Sequence, residues 1–308
     1  MSDLPPENLP EGSGPEDAPK GDLARLPGAS HQAAPRGPGY AGPVAGLPPQ
    51  TGLTTDTAVF TESYAVIPRT VMRDIVTSYL PRWEGMRMWV LARPLTGFAE
   101  TFSQYIVELA EGGGSDLPDD DEGVQHAIFV TGGEMDLTLA GQNHRLRPGG
   151  FAYIPPGALW SLRNVTAGNC GFHWIRKRWV AVEGLEPPAP IIAHEQDIAP
   201  SAMPDTEGSW STTRFMDPAD LRHDMHINIV TFTPGGSIPF AETHVMEHGL
   251  FVLEGKAVYR LNRDWVEVGP GDFMWLRAFC PQACYAGGPG RFRYLLYKDV
   301  NRHAQLWA

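Results

Sequence analysis

One register runs through this chain twice. His126-Ala-Ile-Phe-Val-Thr-Gly-Gly133 returns 122 residues later as His248-Gly-Leu-Phe-Val-Leu-Glu-Gly255. The same offset, without a gap, lays Gly113-Gly114-Ser115 over Gly235-Gly236-Ser237 and Pro148-Gly149 over Pro270-Gly271. Three separated motifs held in one register mark a duplicated unit. The chain therefore has to fold as two similar domains, which 308 residues accommodate.

The units read as all-β. Apolar and β-branched runs, among them Tyr105–Leu109, Ala127–Val130, Phe151–Ile154, Ile227–Phe232, Leu250–Leu253 and Tyr294–Tyr297, alternate with Gly/Pro punctuation. Long helical periodicity is missing, so a sandwich or barrel is expected. Residues 1–50 hold eleven Pro and eight Gly. Such a segment buries too little apolar surface to offset its chain entropy, so residues 1–53 are expected to be a disordered tail. The N-terminal β unit is then 54–180 and the C-terminal one 211–308. The Pro-rich stretch 181–210 reads as the linker between them.

A net charge of −12 argues against nucleic acid or an anionic membrane as partner. Three cysteines, Cys170, Cys280 and Cys284, are too few for a disulfide scaffold and suit a reducing compartment. With no apolar run long enough to span a bilayer and no signal-like N-terminus, a cytoplasmic protein is expected. Exposed sheet edges often pair, so a homo-oligomer is expected too.

In each repeat a Gly-rich turn leads to a polar cluster, then to a strand ending at Gly, a Pro-Gly turn and a second strand. This resembles the cupin superfamily, with its motifs G-x5-H-x-H-x3,4-E-x6-G and G-x5-P-x-G-x2-H-x3-N. The implied fold is a bicupin, two tandem double-stranded β-helix (jelly-roll) barrels. The N-terminal repeat keeps Gly149, Pro155, Gly157 and Asn164 of the second motif, with Trp160 where a metal-ligating histidine belongs. Asp120, Glu122 and His126 stand at its other ligand positions, and Asp119-Asp-Asp-Glu122 reads as a solvated acidic loop. No metal is expected there, because an indole offers no acceptor.

In the C-terminal repeat the cupin set is rewritten as Glu242, His244, His248 and Gln282. On a strand, residues two and four apart share a face, so 242, 244 and 248 are predicted to point into one barrel. Two imidazoles and two oxygens form a borderline-to-hard donor set that suits Mn²⁺, with zinc next. His244-Val-Met-Glu-His248 also spells H-x-x-E-H, the inverted zinc-peptidase signature, but that chemistry needs a helix. Gly235-Gly236 and Pro239 before the cluster and Gly249-Leu-Phe-Val-Leu after it point to strands.

Glu242-Thr-His-Val-Met-Glu-His-Gly, then Trp265, Pro270-Gly-Asp-Phe, Gln282 and Tyr294-Leu-Leu-Tyr-Lys298-Asp-Val-Asn-Arg302, resemble the (S)-ureidoglycine aminohydrolase family of purine (allantoin) catabolism. Tyr153-Ile-Pro-Pro-Gly157 and Lys177-Arg-Trp-Val-Ala-Val-Glu-Gly184 extend the resemblance into the N-terminal half, over roughly 55–303. It implies hydrolysis of (S)-ureidoglycine, a small-molecule substrate, to (S)-ureidoglycolate and ammonia. It also implies an Mn²⁺ ion, or another divalent metal, held by Glu242, His244, His248 and Gln282. Tyr259, Tyr294 and Lys298 match positions that hold the substrate, as Glu242 also would. By its own chemistry Lys298, on one strand face with Tyr294, needs an anion, and a substrate carboxylate would serve. Tyr259 alone reads equally well as a packed barrel tyrosine. Glu242 is the candidate for proton transfer. An Fe(II) cupin dioxygenase and a non-catalytic small-ligand-binding bicupin are the alternatives. Gln282 counts against the first, and Glu242 with Lys298 against the second.

Overall fold

The computed structural model of the chain describes residues 41–42, 58–72, 77–78, 80–94, 97–300 and 302. Each apolar run singled out by its sequence lies within a strand, and the duplication is visible strand by strand. Met135–Leu139, Gln142–Leu146 and Trp160–Asn164 are followed, 122 positions on, by Ala257–Leu261, Asp264–Val268 and Gln282–Tyr285. Val124–Gly132 lies between Cys170–Arg178 and Gly150–Ile154, just as His248–Glu254 lies between Phe292–Asp299 and Phe273–Leu276. The glycine that ends the repeated motif is required in both copies. Gly133 and Gly255 hold φ of +68° and +76°, and a Cβ would fall 2.9 Å from the Asn169 carbonyl oxygen in one and 2.0 Å from that of Arg291 in the other.

The central strands are buried on both faces, which is why they read as continuous apolar runs. Along Phe292–Asp299, Tyr294 and Leu296 pack inside the C-terminal barrel. Leu295 and Tyr297, on the opposite face, join a core shared with Ile106, Ala127, Phe129 and Ile175 of the N-terminal unit. Leu250 and Val252 alternate with Phe251 and Leu253 in the same way. The described residues thus form two barrels, each with its own apolar core, joined by a third.

Strand pairing crosses the expected domain boundaries. Tyr64–Ile67, ahead of the first repeat, pairs with Phe273–Leu276 of the second, and Ile191–His194, inside the expected linker, pairs with Gly150–Ile154 of the first. The segment preceding each repeat covers a sheet edge of the other, an edge that would otherwise present unpaired N–H and C=O groups. The expected tail lies outside the described residues except at Ala41 and Gly42, where the Gly42 carbonyl accepts a hydrogen bond from Arg69 Nε at 2.8 Å. No helix among the described residues is long and apolar enough to cross a membrane.

The two barrels press together at Gly249, beside His248. A Cβ there would come 2.7 Å from Cζ of Phe102 and 3.0 Å from Oε1 of Gln104. Both neighbours are buried, and the Phe102 ring is stacked on Tyr297 at 3.9 Å, so neither can retreat cheaply. Gly249→Ala is expected to cost about 1–3 kcal/mol of stability. A denaturant titration reads the loss, and an unchanged midpoint would show that Phe102 has room to yield.

Candidate active site

The C-terminal barrel encloses a cavity of about 130 Å³. That is well under the roughly 300–1,000 Å³ of sites for drug-sized ligands, so its occupant is small. Strand register builds the floor. His226, Lys298 and His248 stand side by side on three adjacent strands, and Asn228, Leu296 and Leu250 form the neighbouring row on the same face. Tyr294 lies in the row beyond, between Val230 and Val252. Glu242 and Gln282 face each other on a second sheet. Glu242, His244, His248, Gln282, Tyr294 and Lys298 all line this one cavity.

The path that brings them there differs from the single strand that spacing predicts. Glu242 closes Ser237–Glu242, His244 sits in the following turn, and His248 opens His248–Glu254. A turn is needed because the two strands belong to different sheets. It is held by the Phe279 N–H, which donates to the His244 carbonyl at 2.6 Å. Residues 244–247 form no helix, so the H-x-x-E-H spelling has no peptidase geometry behind it.

Glu242 Oε1 lies 3.2 Å from His244 Nε2 and accepts a hydrogen bond from Gln282 Nε2 at 3.4 Å. The His244 and His248 rings are 5.1 Å apart. His248 is buried, and burial pushes its pKa down to about 3, with the charges of His244 and Lys298 acting in the same direction. It is a neutral imidazole at pH 7, the form in which a ring nitrogen can act as a ligand. Lys298 is lowered from the usual lysine range by burial first and then by Arg214, against a partial restoring pull from Glu242. His226, on the other side of Lys298, is held down at about 4 by burial and then by the Lys298 charge. The lysine therefore stands between two neutral rings, short of a full counter-charge.

Among the described residues no three His, Cys, Asp or Glu side chains already stand as a closed metal cage. Glu242 is turned instead onto His244 and Gln282. A divalent ion would replace those contacts, with Gln282 turned to offer its amide oxygen. Two imidazole nitrogens, a carboxylate and an amide oxygen fit a borderline-to-hard ion.

Tyr259 is placed differently from the other substrate candidates. It is fully buried behind Tyr294 and outside the lining, and its hydroxyl donates to that of Tyr294 at 3.0 Å. Burial raises both phenols, so they stay protonated and Tyr259 orients the Tyr294 hydroxyl. Several lining residues escaped sequence reasoning, two of them polar partners on adjacent strands. Arg214 and Asn228 pair across neighbouring strands and both face the cavity. At the repeat offset they fall on Ala92 and Ile106, so the duplication carries no signal for them.

The equivalent place in the N-terminal barrel is filled by aromatic rings. His126 is buried, with Trp160 at 5.0 Å and Trp174 at 5.9 Å between ring centres, and Trp174 Nε1 donates to its Nδ1 at 3.3 Å. Asp119 corrects the expectation of a solvated loop, because its side chain is buried and ion-paired with Arg176. Its Oδ2 comes to 4.0 Å from His126 Nε2. Asp120, Asp121 and Glu122 do remain exposed.

Residues 105–176 and 228–297 match the cupin domain family. The chain is 32% identical over 235 residues to (S)-ureidoglycine aminohydrolase of Escherichia coli K12, covering 75% of this chain and 87% of that protein. To (S)-ureidoglycine aminohydrolase of Arabidopsis thaliana it is 33% identical over 229 residues, 74% of each chain. A crystal structure of a glyoxylate-induced protein from Pseudomonas aeruginosa superimposes with a TM-score of 0.82 at 67% identity, over 88% of this chain and 99% of that one.

Proposed function

The chain belongs to the (S)-ureidoglycine aminohydrolase family, and from that premise we propose that its C-terminal barrel hydrolyses (S)-ureidoglycine to (S)-ureidoglycolate and ammonia. The observation that carries this reading is the shared cavity. A carboxylate, two imidazoles, an amide and a half-buried cation together line one space fit for a molecule of amino-acid size.

(S)-Ureidoglycine bears an amine and a ureido group on one carbon, beside a carboxylate. In the proposed arrangement Lys298, with Arg214 on the same wall, pairs with that carboxylate. Pairing supplies the counter-charge that burial denies the lysine. Tyr294, its hydroxyl oriented by Tyr259, hydrogen-bonds the substrate. Glu242, Nε2 of His244 at its side, delivers a proton to the amine nitrogen whose C–N bond breaks. It takes one from the water whose oxygen replaces that nitrogen on the carbon, so the nitrogen leaves as ammonia. Leu250, Leu296 and Val230 keep bulk water from the reacting carbon. Glu242, His244, His248 and Gln282 would hold an Mn²⁺ ion, which when bound supplies Lewis acidity and a fixed positive charge.

The test is purified protein mixed with freshly generated ureidoglycine, with ammonia and dissolved oxygen followed together. One ammonia per substrate with no oxygen uptake is the expected result. Oxygen consumption would point to a dioxygenase, and binding without turnover to a ligand-binding bicupin. A second test separates the barrels. His126→Ala is expected to keep its metal and its turnover within about two-fold, since its contacts are with Trp160 and Trp174 of the N-terminal barrel and sites that share no partners act nearly independently. Metal lost in His126→Ala would place a working site in the N-terminal barrel.

A further inference from the structure

We infer that Glu247 is the positioning residue of the ligand turn, and that it acts by filling an anion-binding nest which the N-terminal half supplies. The inference rests on the assignment of His244 and His248 as metal ligands. Glu247 lies between them in the turn, yet it does not line the cavity and is only 5% exposed. A carboxylate buried to that degree is costly unless its lone pairs are met. Here all of them are. Oε1 accepts from the backbone N–H of Glu100 at 2.7 Å and from Trp275 Nε1 at 2.5 Å. Oε2 accepts from the Thr101 N–H at 2.8 Å and from the Thr101 hydroxyl at 2.5 Å.

The backbone of the N-terminal half is bent to make this possible. Ala99, immediately before the two donating amides, holds φ of +62°, a left-handed conformation that is strained for any residue with a Cβ. Such a bend turns successive N–H groups toward one point and makes a concavity for an anion. The strain persists because Glu247 fills that concavity. The carboxylate then ties together every element behind the ligands. Trp275 sits opposite Gly249 on the strand paired with His248–Glu254. The Thr101 hydroxyl also lies 2.9 Å from that of Tyr297, next to Lys298. The N–H of Glu247 itself donates to Asp299 Oδ1 at 2.5 Å, on the other side of Lys298. The N-terminal barrel, its own centre plugged by tryptophan, thereby fixes the turn that carries His244 and His248.

The test compares Mn²⁺ affinity of the metal-stripped full-length chain, read from the free-ion electron paramagnetic resonance signal, and hydrogen exchange at residues 245–248 without metal. Wild type, His248→Ala, Glu247→Gln and Thr101→Val are measured. Glu195→Gln serves as a control, since it weakens a half-buried ion pair with Arg293 at the far end of Phe292–Asp299. Glu247→Gln keeps the shape but sets an NH₂ against two donors. It is expected to raise the Mn²⁺ dissociation constant about 10- to 100-fold, as loss of a group that orients a ligand does, and to speed exchange in the turn. Thr101→Val should show a smaller rise, and Glu195→Gln none. Wild-type affinity and exchange in a folded Glu247→Gln would overturn the inference alone. If Glu247→Gln does not fold, wild-type affinity in Thr101→Val overturns it. Equal binding by wild type and His248→Ala would overturn the ligand assignment, and this inference with it.

Discussion

His248→Ala is expected to lose metal and ammonia release together. Its imidazole is buried and neutral at pH 7, which are the properties a metal ligand needs. Losing a group that merely orients a ligand typically costs 10–100-fold in metal affinity. Losing the ligand itself should therefore cost about a hundred-fold or more, and turnover at ordinary Mn²⁺ concentrations should fall in step. The ring is a modest volume bordering the cavity, so the variant should still fold. Elemental analysis and an ammonia assay on the same preparation check this, with His126→Ala as the matched substitution in the other repeat. Full metal content and full turnover in His248→Ala would refute the assignment.

Lys298→Met carries the second large effect, because it separates charge from packing. The methionine fills most of the lysine's space between His226 and His248 but brings no ammonium. Truncating one partner of a desolvated, hydrogen-bonded ion pair costs about 2–5 kcal/mol. At about 1.4 kcal/mol per decade, kcat/KM should fall roughly thirty-fold to several thousand-fold. Arg214 shares the cavity and keeps part of the pairing, which sets the loss toward the lower end. Mn²⁺ content should be unchanged, since Lys298 lies outside the proposed ligand set. Lys298→Arg should restore activity only in part, because a planar fork cannot sit where a point charge sat. Normal kcat/KM in Lys298→Met would mean that the carboxylate is held by Arg214 alone.

Much of this site is legible in the sequence because it rides on the duplication. The offset of 122 residues aligns strands, turns and glycines, so that Gln282 against Trp160 tells the two barrels apart. What spacing misses depends on which sheet a strand joins. Glu242 and His248 sit on different sheets, so His244 has to lie in a turn, and a two-residue period is no guide across it. Tyr64–Ile67 and Ile191–His194 carry ordinary strand patterns, and nothing local to them shows that each pairs with the repeat it does not precede. Arg214 faces the cavity through its register with Asn228, a long-range pairing with no signature in either segment. Asp119 reads as solvated because it belongs to an acidic run, but Arg176 on a neighbouring strand draws that one carboxylate inward. Glu247 reads as one letter of a peptidase signature, whereas its partners Glu100, Thr101 and Trp275 come from both halves of the chain.

The decisive measurement is ammonia release from (S)-ureidoglycine by protein stripped with a chelator and then titrated with Mn²⁺. Turnover should be absent from the stripped protein and return in proportion to bound metal, saturating at one ion per chain. His248→Ala should stay silent throughout the same titration. Full activity in the stripped protein, or activity that saturates only at two ions per chain, would contradict a single metal-dependent site in the C-terminal barrel.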